Sequence, residues 1–268
     1  MHNKLSKALR VIKQKSIMTA ERPTFLGGEV LARYFYARSY CRGKKVLDVG
    51  TGLGLGAEFI ADEGASYVLG IDYDRDVINF ISSKNKIPKV KFKYHDACDL
   101  KKMRDKFDVV LAFEIIEHLP KDKVDMFVES ISGLLNDSGV LLLSTPNGLT
   151  TKYLFGKPYN PYHVKEYTGF EIENILKRYF TGVKLKGIRC INRHYLKKQS
   201  KIEKSLFYKP VYLMGHFKLV RELAAFIPKG LKETVTKENV LPYPRKEDYI
   251  LTGDWKDCPY LFIYAEKK

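Results

Sequence analysis

The chain has 268 residues, of which 45% are hydrophobic and 29% charged, so it can build a sizeable core and is not of the disordered class. Its 47 Lys and Arg against 31 Asp and Glu give a formal charge of +16, which favours an anionic partner such as nucleic acid, a phosphorylated glycan carrier or an acidic membrane surface. It has no apolar run of about 18 residues, no secretory pattern and no Cys-x-x-Cys pair among its 4 cysteines, so we expect a cytoplasmic protein without a transmembrane helix or a thiolate zinc site.

Residues 1–40 are predicted to form an N-terminal helical cap, with one helix over 28–40. From residue 41 onward, short apolar runs alternate with segments of helical spacing. The residues of 136–139, Asn-Asp-Ser-Gly, predict a turn before the fifth strand. The predicted strands cover residues 45–49, 67–71, 90–94, 107–113, 140–144, 183–191 and 260–265.

Three helix starts are indicated by residues with known capping preferences. Asp74 is expected to cap the helix that follows the second strand. Pro120 stands where a first helical position is expected, and it predicts a helix that reaches Leu135. Thr168 and Glu171 have the spacing of a capping box.

This alternation predicts a Rossmann-like α/β fold, a seven-stranded and mostly parallel sheet with helices on both faces. Residues 41–191 are predicted to form its cofactor-binding core. Residues 192–258 are too numerous and too apolar for an ordinary loop, so they predict an inserted helical lid or subdomain, or else an extra packing layer. Residues 259–268 then supply the final strand of the core.

A glycine-rich turn follows the first predicted strand, where Asp48 is followed by Gly50, Gly52 and Gly54. Glycines let the backbone approach a ligand closely, and the next helix directs its N–H groups at that ligand. From Gly52 the segment also satisfies the dinucleotide pattern Gly-x-Gly-x-x-Ala, so a nicotinamide cofactor is the alternative. Asp72 suits the ribose of either cofactor. Asp48 favours a cationic ligand, because a carboxylate there would repel a pyrophosphate and attract a sulfonium.

Five segments in this order and spacing, 48–54, 70–72, 95–97, 107–120 and 143–147, resemble the successive motifs of class I S-adenosylmethionine (SAM)-dependent methyltransferases. The resemblance spans about residues 40–190 and makes 41–191 the SAM-binding methyltransferase core. It implies an enzyme that uses SAM and releases S-adenosylhomocysteine.

The resemblance also implies roles for individual residues. The glycine loop is expected to hold the methionyl part of SAM, Asp72 the ribose and Asp96 the adenine amino group, with Phe113 and Glu114 beside the methyl donor. The expected cofactor-binding residues are Asp48, Gly50, Gly52, Gly54, Asp72, Tyr73, Asp96, Ala97, Phe113 and Glu114.

Two histidines are candidates for the base that an alcohol acceptor needs. His118 follows the fourth strand and His163 follows the fifth, so both are expected at the carboxyl edge of the sheet. Imidazole titrates near neutral pH, which suits this role, although either ring is alternatively a structural group bonded to a loop carbonyl. Glu117, which precedes His118, is the third catalytic candidate.

A divalent metal is an alternative use of the same residues. Glu114, Glu117, His118 and His163 offer two carboxylates and two imidazoles. This spacing resembles the metal site of small-RNA 2′-O-methyltransferases, and a similar segment occurs in ubiquinone-pathway O-methyltransferases. The sequence Glu-x-x-Glu-His-Leu-Pro also resembles metal-free relatives, so no metal ligand is assigned.

Two further segments indicate the acceptor. Residues 19–37 resemble the N-terminal helix of methyltransferases associated with polysaccharide and glycan assembly, and 160–168 resembles a second segment of that group. Aromatic residues near the second segment suit either the faces of a sugar ring or ordinary packing, namely Tyr153, Phe155, Tyr159, Tyr162 and Tyr167. The leading hypothesis is therefore O-methylation of a hydroxyl on a saccharide or glycan precursor.

RNA 2′-O-methylation, with or without a metal, is the alternative hypothesis because of the +16 charge, although the sequence has no RNA-binding module signature. Contact with an anionic membrane surface is a further expectation, based on the basic N-terminal residues and the apolar stretch 205–227. The sequence predicts no oligomeric state.

Overall fold

The computed structural model describes residues 25–151, 153–154, 157–158, 160, 162–193, 195–197 and 245–268. The α-helices are α1 (Phe25–Cys41), α2 (Leu55–Asp62), α3 (Arg75–Lys84), α4 (Val124–Leu134) and α5 (Gly169–Leu176). The strands are β1 (Lys45–Val49), β2 (Tyr67–Asp72), β3 (Val90–Tyr94), β4 (Phe107–Phe113), β5 (Leu135–Pro146), β6 (Tyr153–Leu154), β7 (Lys157–Pro158), β8 (Phe180–Cys190), β9 (Tyr249–Thr252) and β10 (Tyr260–Lys267). None of the helices in these ranges combines the length and apolarity that a bilayer crossing requires.

One eight-stranded sheet organises the fold, in the order β3-β2-β1-β4-β5-β10-β8-β9. The strands from β3 to β5 are parallel, whereas β10 runs antiparallel to both β5 and β8, and β9 is antiparallel to β8. The strand order reverses between β1 and β4, and open α/β sheets bind ligands at the carboxyl ends of such strands. The predicted Rossmann-like fold with a mostly parallel sheet is confirmed, with eight strands in the place of seven.

The eighth strand, β9, lies inside the predicted insertion 192–258. It pairs with β8 from Gly187 opposite Thr252 to Cys190 opposite Tyr249, so the end of this stretch belongs to the core sheet. With four residues, β9 is too short to show a clear alternation of polar and apolar side chains. Residues 198–244 of the insertion and residues 1–24 of the cap lie outside the described residues.

The structure corrects the predicted start of α4 and the predicted start of the fifth strand. Pro120 has ψ 136, an extended conformation, and is followed by a 3₁₀ turn over Lys121–Lys123, so α4 begins only at Val124. The predicted turn at 136–139 falls inside the bounds of β5, where these four residues form a turn-like irregularity opposite Asp108 and Ser138 has a φ of 62°. The side-chain amide of Asn136 donates to Asp108 Oδ1 at 2.8 Å and fixes this irregularity.

The core fills both faces of the sheet. On one face, α1 and α2 approach so closely that a Cβ atom on Gly56 would lie 1.9 Å from Cζ of Tyr34. Only glycine permits this contact, which brings the Tyr34 side chain under the glycine loop. On the other face, Phe127 and Ile131 of α4 pack with Leu47 of β1 in a buried cluster.

The capping box at α5 is confirmed. The Glu171 N–H donates to Thr168 Oγ1 at 3.2 Å, and the Thr168 N–H donates to Glu171 Oε2 at 2.8 Å. These two bonds satisfy donors that a helix start would otherwise leave unpaired.

We expect Thr168→Ala to lower the free energy of unfolding by about 1 kcal/mol, because the first turn of α5 loses its side-chain acceptor. Urea denaturation followed by circular dichroism measures the change. Thr168→Ser keeps the hydroxyl and serves as the control, with an expected midpoint close to that of the wild type. Equal midpoints for the Ala variant and the wild type would show that this cap contributes nothing.

Candidate functional site

The glycine loop after β1 has the geometry of a ligand-binding turn. Gly50, Gly52 and Gly54 have φ angles of 74°, 53° and 77°, in the left-handed region that favours glycine. The Gly50 and Thr51 N–H groups both donate to the Ile71 carbonyl, at 2.8 and 2.9 Å, which ties the loop to the end of β2. A Cβ atom on Gly52 would meet nothing closer than 4.0 Å, so open space adjoins the loop there.

Asp72, at the end of β2, holds this loop from the other side. Its Oδ2 accepts from the Gly52 N–H at 3.0 Å, and its Oδ1 accepts from the Asp74 N–H at 3.0 Å. Each carboxylate oxygen has a further lone pair, so Asp72 can accept from a ligand while it fixes the backbone.

Two adjoining cavities lie along the carboxyl ends of β1, β2 and β4. The first, of about 520 Å³, is lined by Asp72, Tyr73, Asp96, Ala97 and His118, among others. The second, of about 280 Å³, is lined by Gly52, Arg33 and Phe113, among others. Gly50 and Glu114 border both cavities, so together these form one cleft of a size that suits a nucleoside carrying an amino-acid group.

Most of the predicted cofactor-binding residues therefore border the cleft, but Gly54 and Asp48 do not. Gly54 begins α2 and packs beside Phe92, which a side chain there would strike. Asp48 is fully buried beneath the loop, where its Oδ1 accepts from the Tyr34 hydroxyl at 3.0 Å. Burial raises the pKa of Asp48 to about 7, against the effect of its hydroxyl neighbours. Asp48 thus supports the loop rather than the wall of the cleft.

Arg33, on α1, is a site residue that the sequence analysis missed. Its guanidinium is buried between two carboxylates, 3.0 Å from Glu29 Oε1 and 3.2 Å from Glu114 Oε2, and lies 4.6 Å above the ring of Tyr260. Burial lowers the pKa of Arg33, but the two carboxylates outweigh it and raise the pKa overall. Its Nε–H is buried and has no hydrogen-bond partner among the described residues, and Arg33 as a residue borders the second cavity.

Glu114, directly after β4, is held in a strained conformation. Its φ of 56° is uncommon for a residue with a side chain and costs about 1–3 kcal/mol. Ser144 compensates through two bonds, since its carbonyl accepts from the Glu114 N–H and its hydroxyl donates to Glu114 Oε1, both at 2.9 Å. Burial raises the pKa of Glu114, while Arg33 opposes this rise. Glu114 in this backbone conformation borders both cavities.

The two histidines lie in contact, with ring centroids 4.7 Å apart, but their hydrogen bonds differ. His118 Nδ1 lies 2.9 Å from the Tyr162 carbonyl, which can only accept, so Nδ1 carries the proton and the Nε2 lone pair remains. Desolvation in the cleft lowers the pKa of His118 below its usual 6.5, and the neighbouring His163 lowers it further. At neutral pH His118 is therefore an uncharged imidazole at the wall of the first cavity.

His163 has both ring nitrogens engaged. Asn160 Oδ1 accepts from the Tyr162 N–H, so its amide nitrogen is the group that donates to His163 Nε2, at 2.8 Å. Nδ1 then donates to Glu166 Oε1 at 2.5 Å, and the Thr151 hydroxyl bonds the other oxygen of Glu166. This arrangement uses the ring to order a loop and leaves it no free lone pair, in contrast to the predicted role as a base.

Glu117 is fully buried and does not border the cleft. Its Oε2 accepts from the Thr145 hydroxyl at 3.0 Å. Burial, and then the charge of Glu114, raise the pKa of Glu117 well above its usual value. Its backbone carbonyl accepts from the Val164 N–H at 2.8 Å and anchors the loop that carries His163.

Three of the four residues of the metal alternative are close together, and Glu114 is not in this group. One ligand atom from each of Glu117, His118 and His163 lies within 4.8 Å of the others. A carboxylate and two imidazoles suit several transition metals. In this arrangement, however, His163 Nε2 accepts from Asn160 and its Nδ1 donates to Glu166, so both ring nitrogens of this candidate ligand are already hydrogen-bonded. The arrangement therefore fits a hydrogen-bonded network better than a ligand set.

The aromatic residues predicted to face a sugar divide in two. Tyr162 is 66% exposed and borders the first cavity. Tyr167 is only 4% exposed and packs in the hydrophobic core, so it has no free ring face. The side chains of Tyr153, Phe155 and Tyr159 lie outside the described residues.

Comparison with known proteins identifies the family to which the chain is similar. The sequence profile of a family described as "Methyltransferase domain" matches residues 21–181. The chain is 32% identical over 177 residues to a "Probable S-adenosylmethionine-dependent methyltransferase" of Mycolicibacterium smegmatis, covering 65% of this chain and 66% of that protein. It is 37% identical over 114 residues to a ubiquinone biosynthesis O-methyltransferase of Pelagibacter ubique, covering 41% of this chain and 45% of that protein. The aligned regions span less than two thirds of either relative.

A solved structure shows the same fold. The crystal structure of a SAM-dependent methyltransferase from Archaeoglobus fulgidus superposes with a TM-score of 0.57 at 22% identity, covering 91% of this chain and 96% of that one.

We expect Asp72→Ala to weaken SAM binding by about 10- to 100-fold, because the ligand loses a charged acceptor and the glycine loop loses its bond to Gly52. Isothermal titration with SAM, S-adenosylhomocysteine and NAD measures the affinities, with no binding expected for NAD. Asp62→Ala, at the exposed end of α2, is the matched control and should bind SAM as the wild type does. Unchanged SAM affinity in Asp72→Ala would remove Asp72 from the site.

Proposed function

Because this chain belongs to the class I SAM-dependent methyltransferase family, we propose that it transfers the methyl group of SAM to a hydroxyl oxygen of a saccharide or glycan precursor. The observation that carries the transfer step is the neutral imidazole of His118, which borders the same cleft as the glycine loop and Asp72. The saccharide acceptor is supported by the resemblance of 160–168 to glycan-associated methyltransferases and by the exposed ring of Tyr162 beside His118.

The residues present fit the cofactor. We propose that Asp72 accepts from the ribose hydroxyls and that Asp96 lies toward the adenine, since both border the larger cavity. The smaller cavity would hold the methionyl end, where the unpaired Nε–H of Arg33 suits a carboxylate and Glu114 suits an ammonium or sulfonium. When bound, SAM supplies an electrophilic methyl group on a positively charged sulfur.

In this proposal His118 is the general base. An acceptor hydroxyl that donates to Nε2 loses its proton to the ring as its oxygen attacks, and Nδ1 keeps its bond to the Tyr162 carbonyl throughout. The resulting imidazolium is stabilised by that carbonyl and, at longer range, by Glu166. His163, Asn160 and Glu166 act as positioning residues that hold Tyr162, and therefore the Nδ1 proton of His118, in place.

RNA 2′-O-methylation is the second candidate, and one observation favours it. The cluster of Glu117, His118 and His163 retains the composition of a metal site beside the acceptor side of the cleft. In that case a divalent metal would have to displace Asn160 from His163 Nε2 or Glu166 from His163 Nδ1. The saccharide proposal needs neither change.

An acceptor screen with methyl-labelled SAM tests the proposed substrate class. We expect label to be incorporated into saccharides from a panel of methyl glycosides and oligosaccharides, at the same rate with and without a chelator. The panel includes a short oligouridylate and a catechol. Incorporation only into RNA with an added divalent metal would replace the proposal by the second candidate, and incorporation only into the catechol would reject a saccharide acceptor.

We expect His118→Asn to lower kcat by about 10²- to 10⁴-fold without changing the affinity for SAM, because Asn keeps a donor for the Tyr162 carbonyl but has no lone pair to act as base. In the wild type, protonation of Nε2 blocks the base, so kcat falls as the pH drops through the lowered pKa of His118, with a midpoint below 6.5. The variant should lack this acid limb. A wild-type profile without the limb, or a variant with normal kcat, would reject His118 as the base.

A further inference from the structure

The sequence in and before β3, the outermost strand of the sheet in the described residues, carries five lysines and no acid. They are Lys84, Lys86, Lys89, Lys91 and Lys93, and we call them the lysine edge. Residues 83–94 contain no Asp or Glu, and none of the five lysines forms an ion pair with a described carboxylate. Lysines elsewhere, such as Lys102 with Asp99, do form such pairs.

The geometry of the lysine edge is linear. Side chains alternate along a strand, so Lys91 and Lys93 share one face of β3, with Lys89 directly before the strand, while Val90, fully buried, and Phe92 pack on the other face. Lysines two residues apart repeat about every 6.6 Å along the strand. Such a row matches successive phosphates of an extended polymer better than it matches a flat membrane surface, which requires charges spread in two dimensions.

Lys84 and Lys86 lie at the end of α3 and in the loop before β3, and Asn85 orders this loop. The Asn85 amide donates to the Val90 carbonyl at 2.8 Å, and Asn85 Oδ1 accepts from the Ile87 N–H at 3.0 Å. These bonds fix the backbone between Lys84 and Lys89. Because β3 is the outermost strand of the sheet in the described residues, its outward N–H groups add further donors along the same line.

The lysine edge ends at aromatic residues beside the cleft. Tyr94, the last residue of β3, is 37% exposed on the face opposite Lys91 and Lys93, and the guanidinium of Arg75 lies 3.6 Å from the centre of its ring. Tyr73 is 75% exposed and borders the larger cavity. Rows of cations that lead to exposed aromatic rings are the features with which proteins bind single strands, since bases stack on the rings while phosphates pair with the cations.

We propose that the lysine edge binds single-stranded nucleic acid and directs it toward the mouth of the cleft. This inference concerns binding outside the cleft, so it does not depend on which hydroxyl is methylated. The proposal rests on the charge complementarity between these lysines and the phosphates of a nucleic acid. The alternative explanation is that lysines on an edge strand prevent it from pairing with the edge of another sheet. That explanation predicts no affinity for a polyanion.

The test is fluorescence anisotropy of a labelled oligouridylate with the full chain over a range of salt concentrations. We expect a Kd on the order of micromolar at low salt and a steep loss of affinity as salt increases. Lys89→Gln/Lys91→Gln/Lys93→Gln should weaken binding at least tenfold and reduce the slope of log K against log salt by about 2, since each lost phosphate contact removes about 0.7. Its SAM affinity and melting temperature should stay those of the wild type.

Lys184→Gln/Lys186→Gln is the matched control, because these lysines are also exposed and two residues apart on a strand, but lie on β8 across the sheet. We expect it to bind oligouridylate as the wild type does. An equal loss in the control, or no binding by the wild type at low salt, would overturn the proposal. Sedimentation with phosphatidylglycerol vesicles that depends on the lysine edge, without oligouridylate binding, would also overturn it and identify a membrane as the partner.

Discussion

The buried ion pairs of Arg33 are the interaction on which the cleft depends. A guanidinium removed from water is tolerated only when carboxylates surround it, and Glu29 and Glu114 supply them from two different elements. The next residue, Tyr34, donates to Asp48 beneath the glycine loop. Two consecutive residues of α1 thus fix this helix to the ends of β4 and β1. Without these contacts the smaller cavity would lose one wall, and the buried carboxylate of Glu114 would lose its cationic partner.

The two histidines have different roles because their hydrogen-bond partners differ. Both belong to loops at the carboxyl edge of the sheet, and their rings touch. A backbone carbonyl next to His118 uses one nitrogen and leaves the other. An amide and a carboxylate next to His163 use both of its nitrogens. The difference follows from the neighbours of His163 in the chain. Asn160, three residues before it, supplies a hydrogen-bond donor, and Glu166, three residues after it, supplies an acceptor.

Much of this architecture follows from local sequence. Short apolar runs predicted the strands from β1 to β4, and the glycines after β1 predicted the loop, because left-handed backbone and close approach require them. Contacts between distant elements were not predictable in this way. Arg33 carried a local signal, since Glu29 lies one helical turn before it, but nothing in the sequence showed that Glu114 would complete the pair.

The other features that the sequence did not predict also depend on contacts between distant parts of the chain. Pro120 has the residue type of a helix start, yet the chain needs an extended residue there before it turns into α4. Strand β9 is defined by its partner β8 rather than by its own four residues. The free nitrogen of His118 depends on where the Tyr162 carbonyl lies, which is a property of the folded loop.

The position of β10 has a consequence for the order of assembly. It is the latest of the eight strands in sequence, yet it lies between β5 and β8, with Tyr260 opposite both Pro146 and Ile188. The five parallel strands are joined by short crossovers and form through local contacts, whereas β8 and β9 can attach to them only through β10. Closing so long a stretch of chain is slow, so β8 presents an unpaired edge until β10 arrives. During synthesis, this half-built sheet is the species most exposed to pairing with another chain.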